Sequence, residues 1–169
     1  MNSYPDLVEI VRKENAERRA LKDPKLAAQR VDIDLNEQLR FTASFDEFSF
    51  KIDEPTERGG TGAGPPPLAY FLAGAATCLM TQIQKVALER NVVIDSMKTI
   101  ARGHFDRRLN GAFSEIIYDI ELQCRATSQV IKEIVENAEA MCHAHNTLKE
   151  SVHMRTDLKL NGEVLPLGE

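Results

Sequence analysis

The sequence predicts an α+β fold, one domain preceded by a helical arm, and three observations predict it. Apolar residues alternate with polar ones from Val31 to Ile52, the period of half-buried strands, and switch to helical spacing over residues 68–90 and again over 127–142. Between those helical stretches the alternation returns on either side of Asn110-Gly111. The chain has 169 residues, 43 % apolar and 28 % charged, which suffices for one sizeable core and argues against two full folds.

Taking the elements in order, Ser3-Tyr-Pro-Asp6 supplies a hydroxyl cap, an early proline and an acid, so a helix starts there. Its short apolar face, Leu7, Val8, Ile10 and Val11, precedes a charged stretch to Lys22 and suits packing against a neighbouring surface. Residues 1–30 are therefore an arm, and residues 31–169 the domain proper. Val31, Ile33 and Leu35, then Phe41, Ala43 and Phe45, then Phe48, Phe50 and Ile52 predict a three-stranded meander with turns at Asn36-Glu37 and Asp46-Glu47.

Gly59-Gly-Thr-Gly-Ala-Gly-Pro-Pro-Pro67 breaks the composition of the chain. It is not a phosphate cradle: Pro65, Pro66 and Pro67 have no N–H to offer an anion, and no Gly-Lys-Ser/Thr follows. The loop ends one layer and launches the next helix. That helix, residues 68–90, is apolar on nearly every side through Met80 and is expected to be buried all round there. Ala69, Ala73, Gly74, Ala75 and Ala76 keep it thin enough for a sheet or a partner helix to come close.

Val92-Val93-Ile94 opens a strand towards Phe105, and Ile116, Tyr118, Ile120, Leu122 and Cys124 share one face of the next, completing a hairpin. Thr127-Ser128 introduces the second helix, whose stripe runs Val130, Ile131, Ile134, Val135, Ala138, Met141 and Cys142. A final strand over residues 152–160 closes at Asn161-Gly162, with a loose tail after it.

Charge and cysteine usage narrow the function. With 21 basic and 26 acidic residues the formal charge is −5, a poor match for a phosphate backbone, and no nucleic-acid partner is expected. No basic segment leads into an apolar stretch at the start, and the most apolar run, residues 68–80, is shorter than a bilayer span; a cytoplasmic chain with no membrane partner is expected. Cys78, Cys124 and Cys142 are too few and too widely spaced for a secreted disulfide framework or a paired CxxC zinc site. Each has a packing reading, Cys78 and Cys142 within apolar helices and Cys124 on an inward strand face, and redox chemistry is the other option. His143 and His145 beside Cys142 raise a metal cluster, but zinc takes three or four ligands and only the distant His104 and His153 remain; no metal is expected.

The element order, with one cysteine in each long helix, resembles the OsmC/Ohr family of hydroperoxide-reducing proteins. Gly59-Gly-Thr-Gly-Ala-Gly-Pro-Pro-Pro-Leu is similar to the family's GGxxxGPxP ahead of its central helix, and Ala73-Gly-Ala-Ala-Thr-Cys78-Leu to the small-residue run ending at its first cysteine. Cys142-His-Ala-His-Asn-Thr-Leu148 is similar to its Cys-x-x-x-Asn-Thr/Ala-Leu, and the two cysteines lie 64 positions apart, as in the family. The likeness covers roughly Leu39 to Gly162. In two places the chain departs from it: Leu68 and Ala69 stand where the family usually has a glutamate, and His143 where proline commonly follows the second cysteine.

The resemblance implies an intertwined homodimer, which would also cover a central helix too apolar for one chain. It implies a thiol-dependent peroxidase in which Cys78 attacks an organic hydroperoxide and becomes a sulfenic acid. Cys142 then closes a Cys78–Cys142 disulfide, and an external dithiol, lipoyl-type or small, reduces it. No metal or organic cofactor is required. A buried thiol ionises only with help, and Cys78 stands about ten residues into its helix, beyond the helix dipole. Arg40 matches the family's assisting arginine, with Glu54 or Glu57 left to take the place of the missing glutamate. A pocket lined from Tyr70, Phe71 and Met80 would favour alkyl peroxides over hydrogen peroxide. The competing class is a dimer of the same fold that holds a small lipophilic molecule, its cysteines relics or weak sensors. A third is a structural or regulatory partner docking through residues 12–22.

Overall fold

The computed structural model describes residues 3–23, 27–108 and 111–150, and the backbone of 158–160 and 163–165. Helix α1 (Tyr4–Ala20) begins with a capping box: Ser3 Oγ accepts from the Asp6 N–H, and the Asp6 carboxylate accepts from the Ser3 N–H at 2.8 Å. Its Val8 and Val11 bury against Leu88 of the central helix α2 (Pro67–Glu89). Polar clamps surround that contact, with Lys85 Nζ 2.8 Å from both Glu14 carboxylate oxygens and Arg19 2.7 Å from Glu89.

Strands β1 (Asp32–Glu37), β2 (Arg40–Phe45) and β3 (Phe48–Ile52) form the expected antiparallel meander. The β2–β3 turn is Asp46-Glu47, with Asp46 at φ +49. The first turn is Gln38-Leu39 rather than Asn36-Glu37. A register shift between Leu35 and Glu37 lengthens β1, Thr42 Oγ1 donates to the Asn36 side chain at 2.7 Å and holds it in the strand, and Gln38 takes the positive φ of +51.

The core lies where α2 meets the hairpin of β4 (Ile94–His104) and β5 (Glu115–Cys124) and the helix α3 (Ser128–Met141). Leu79, Ile83, Val86 and Ala87 pack on Ile134, Ala138 and Cys142, with Met97, Tyr118, Ile120 and Leu122 closing from the hairpin. Ile83 and Ile134 are both 0 % exposed, and burying each contributes about 1.5–3 kcal/mol. Helix α3 is capped by Thr127, stops at Cys142, and is followed at once by a short helix α4 (His143–Lys149), an element the continuous apolar stripe conceals.

The first half of α2 is not buried all round. Leu68 is 47 % and Phe71 43 % exposed, Ala69, Ala73, Gly74 and Thr77 are exposed as well, and burial begins at Ala75. One side of α2 packs on α3 and β4, its second half meets α1 and its start meets β3 through Tyr70, while Ala69, Ala73, Gly74 and Thr77 stay exposed on the single chain. The meander is similarly bare, with Ile33, Leu35 and Phe48 each more than 60 % exposed while Ala43 is buried. At 23 residues α2 is, by length and composition, long and apolar enough to cross a membrane, which the shorter run 68–80 does not suggest; its second half is packed on α1 and α3.

Past Gly162 the chain forms a strand instead of a loose tail: β6 (Leu158–Leu160) and β7 (Glu163–Leu165) pair antiparallel. Residues 152–157 of the expected final strand, and Asn161-Gly162, lie outside the described residues.

Candidate active site

The site is positioned by the loop between β3 and α2. Asp53, 0 % exposed, accepts through Oδ2 from the Thr61 hydroxyl at 2.5 Å, the Thr61 N–H at 3.1 Å and the Ala63 N–H at 3.0 Å. The Thr61 hydroxyl, and after it the Ala63 N–H, hold this carboxyl below the usual carboxylate range. Gly60 is required by a close approach, because a Cβ there would stand 1.8 Å from the Glu54 carbonyl oxygen. The prolines take part through a carbonyl, Asp53 N–H donating to Pro65 O at 3.2 Å, and the Tyr70 hydroxyl donates to Lys51 O at 2.6 Å. The loop thus stitches the start of α2 to the end of β3 and fixes where Cys78, about three turns further on, must lie.

Cys142 Sγ lies 3.4 Å from Cys78 Sγ, and both are free thiols. Cys142 is fully buried and Cys78 half-buried. The α3–α4 break makes this possible: Cys142 leaves the helical region (φ −82, ψ 115), and its Sγ accepts from the His145 N–H at 3.5 Å, capping α4. Burial pushes the Cys142 thiol up, the His145 N–H pulls it partly back, and the neighbouring Cys78 raises it further. Tyr118 on β5 is half-buried beside the pair, and its phenol is pushed up by burial first, then by charge on Cys142 and Cys78.

A cleft of about 1700 Å³ opens beside this pair, walled by neighbours of the two cysteines and not by the cysteines themselves. Its wall includes Leu79, the residue after Cys78, His145, whose N–H meets Cys142 Sγ, and Tyr118. Phe71 lines it as expected; Tyr70 and Met80 do not, Tyr70 being turned to Lys51 O and packed on Phe50 at 5.0 Å between ring centroids. The apolar wall comes from Phe113, stacked on Phe71 at 5.9 Å and met edge-on by Phe105 at 5.6 Å. A Cβ at Gly103 would come within 2.5 Å of the Phe113 ring, so the glycine admits the aromatic cluster.

The OsmC-like protein family model matches residues 60–157, a span that contains both cysteines and most of the cleft wall. The chain belongs to the OsmC-like family. The hydroperoxide reductase of Mycoplasma pneumoniae is 28 % identical to it over 118 residues, spanning 68 % of this chain and 82 % of that protein. The hydroperoxide reductase of Mycoplasma genitalium is 27 % identical over 131 residues, 75 % of this chain and 88 % of that one. Among solved structures, the OsmC like protein from Mycoplasma pneumoniae has a TM-score of 0.65 at 27 % identity, covering 73 % of this chain and 88 % of its own. The organic hydroperoxide resistance protein OsmC from Legionella pneumophila shares the fold at a TM-score of 0.55 and 17 % identity, covering 75 % and 92 %.

Arg40 lies outside the span matched to the OsmC-like family, at the turn end of β2. Its guanidinium pairs with Glu37 at 2.8 Å across that turn, and within the single chain no contact joins it to either sulfur among the described residues. Glu54 pairs with Arg58 at 2.9 Å, and Glu57 and Arg58 line the cleft with Arg107 and Lys149. Cys124 ends β5, half-buried and paired in register with Ile94, and is not part of the apolar cluster that holds Cys78 and Cys142. Tyr118 escapes a sequence reading because it sits in an otherwise aliphatic stripe; its hydroxyl was the one signal there.

Proposed function

We propose that the chain is a thiol-dependent peroxidase that reduces organic hydroperoxides, and the observation that carries this reading is the 3.4 Å between the sulfurs of Cys78 and Cys142. Cys78, the less buried of the two, is the nucleophile. Its thiolate attacks the distal peroxide oxygen, forming an S–O bond as the O–O bond breaks and the alcohol leaves. Cys142 displaces water from the resulting sulfenic acid and closes the disulfide with little movement, because the sulfurs are already in contact. A lipoyl-type or small dithiol, entering by the cleft in a cytoplasmic setting, restores the thiols. The Phe71, Phe105 and Phe113 cluster gives the apolar body of the peroxide a place to lie. No metal or organic cofactor enters the scheme.

In this reading the protein works as an intertwined homodimer. The bare face of the meander and the exposed first half of α2 are what a second copy would bury. Such a pairing would carry Arg40 across the interface towards a sulfur pair, where its guanidinium would hold the Cys78 thiolate. The hydroperoxide reductase names of the two Mycoplasma relatives support the same activity.

A second reading, a dimer that binds a lipophilic molecule, is favoured by the breadth of the cleft and by Arg40 being paired with Glu37. Consumption of cumene hydroperoxide with a dithiol donor decides between them. The peroxidase loses all turnover in Cys78→Ser and keeps a single turnover in Cys142→Ser. Equal rates in the wild type and both variants leave the binding protein.

A further inference from the structure

The chain has three tyrosines, and two of them use their hydroxyls to hold the fold. Tyr4 donates to Val92 O and Tyr70 to Lys51 O. The third, Tyr118, has no partner for its hydroxyl among the described residues, although the residue is half-buried and packs on the cluster that contains Cys142. It also lines the cleft. A half-buried phenol beside two thiols, open to an incoming ligand and bonded to no protein acceptor, is set up to exchange protons with that ligand.

We propose that Tyr118 is the acid–base residue of the reaction, protonating the departing alkoxide and then accepting the proton of Cys142. This rests on the peroxidase reading above. The Cys78 thiolate, its proton already given to solvent, attacks the distal oxygen of ROOH; the S–O bond forms, the O–O bond breaks, and both electrons of that bond leave with RO⁻. The phenolic proton of Tyr118 passes to RO⁻, giving ROH and a phenolate. Cys142 S–H passes its proton to the phenolate, and its sulfur attacks the sulfenic sulfur of Cys78. The S–S bond forms, the S–O bond breaks, and hydroxide leaves and takes up a proton from solvent as water. Two thiols and ROOH have become a disulfide, ROH and water, and Tyr118 is again neutral.

The directions agree with the surroundings. Burial keeps the phenol protonated before the reaction and makes its anion more basic once formed. Cys142, whose burial also favours the protonated thiol, needs such a base. A phenolate outranks a thiolate in ordinary basicity, and an alkoxide outranks a phenolate, so both transfers follow the ordinary order of the groups.

The test compares two leaving groups in the full chain. The alkoxide from tert-butyl hydroperoxide needs a proton, whereas the carboxylate from peroxybenzoic acid leaves without one. Sulfenic acid formation is followed by stopped flow with dimedone trapping in wild type, Tyr118→Phe, Tyr118→His and His145→Gln. Tyr118→Phe should slow the hydroperoxide by roughly 100-fold, the lower end of what a positioned acid supplies, and the peracid by less than about threefold. Tyr118→His, which restores a proton donor, should recover part of the hydroperoxide rate, and the sulfenic acid should outlive the wild-type one in Tyr118→Phe. Equal slowing of both peroxides, with unfolding midpoints compared, would make Tyr118 structural and overturn the proposal. So would a change in the ratio that appears with His145→Gln and not with Tyr118→Phe. A wild-type protein that consumes neither peroxide removes the peroxidase reading itself; an active wild type whose ratio Tyr118→Phe leaves alone removes only the role of Tyr118.

Discussion

Oxidising the Cys78–Cys142 pair should stabilise the protein by about 4 kcal/mol. The sulfurs stand 3.4 Å apart across a separation of 64 residues. In the chain-entropy description, a crosslink closing a loop of that size removes about 14 cal/mol/K from the unfolded ensemble, or about 4 kcal/mol at 25 °C. The opposing native-state cost should be small, because α2 and α3 already pack together and the two sulfurs are already in contact. With a urea slope of roughly 2 kcal/mol/M for a chain of this size, the midpoint should rise by about 2 M. The assay is urea unfolding followed by circular dichroism, comparing protein oxidised with one equivalent of cumene hydroperoxide with protein kept in dithiol. Cys142→Ser should show no such rise. An oxidised midpoint equal to or below the reduced one would mean that closing the bond displaces α2 or the α3–α4 break, and the claim that the resting geometry is ready for the disulfide would fail.

The loop that launches α2 predicts a contrast between neighbouring glycines. Gly60→Ala, whose Cβ would meet the Glu54 carbonyl at 1.8 Å, should cost about 3 kcal/mol. Gly62→Ala, strained by its φ of +70 but opening into free space, should cost about 1 kcal/mol, and equal losses in thermal unfolding would contradict the packing argument. Because the native Asp53 carboxyl titrates below the unfolded one, its stabilisation is present above the ordinary carboxylate range and lost as pH falls through the lower native value. Urea midpoints of Asp53→Asn should therefore vary less with pH than those of the wild type between about pH 4 and pH 2. Cys142 has the opposite sign: its native value is raised, so its contribution is complete below the unfolded thiol value and lost as pH climbs through the native one. Iodoacetamide should alkylate Cys142 more slowly in the native than in the urea-unfolded chain up to about pH 9, and equal rates would show that the thiol is not held protonated. In the homodimer proposed above, paired Ile33→Glu and Phe48→Glu changes on the exposed meander should give monomer in sedimentation where the wild type gives dimer; an unchanged dimer would place the interface elsewhere, and a monomeric wild type would remove the dimer itself.

What the sequence made legible was local in cause. The Ser3 cap, the Thr127 cap, the alternation on both sides of Asn110-Gly111 and the three prolines at the start of α2 each act through neighbouring backbone, and the elements they announce are in the structure. The first meander turn was misplaced because a register shift at Leu35/Glu37 depends on the partner strand. The break at Cys142 was hidden because the apolar spacing runs on to that residue while the backbone turns out of the helix there. Burial of the first half of α2 was overstated for one chain because hydrophobicity does not say which surface covers a helix. In the candidate site, the two cysteines were legible through a likeness in their flanking motifs. Tyr118 was not, since a phenol in an aliphatic stripe looks like any other inward residue until the sulfurs are placed beside it.

The most direct measurement is a map of the thiols in the native protein after one equivalent of cumene hydroperoxide, made by alkylation, tryptic digestion and mass spectrometry. The predicted product is a single Cys78–Cys142 linked peptide pair formed as the peroxide disappears, with Cys124 still open to alkylation after unfolding. Peroxide consumed while Cys78 and Cys142 both stay free, or a link from Cys78 to Cys124 instead, would contradict it.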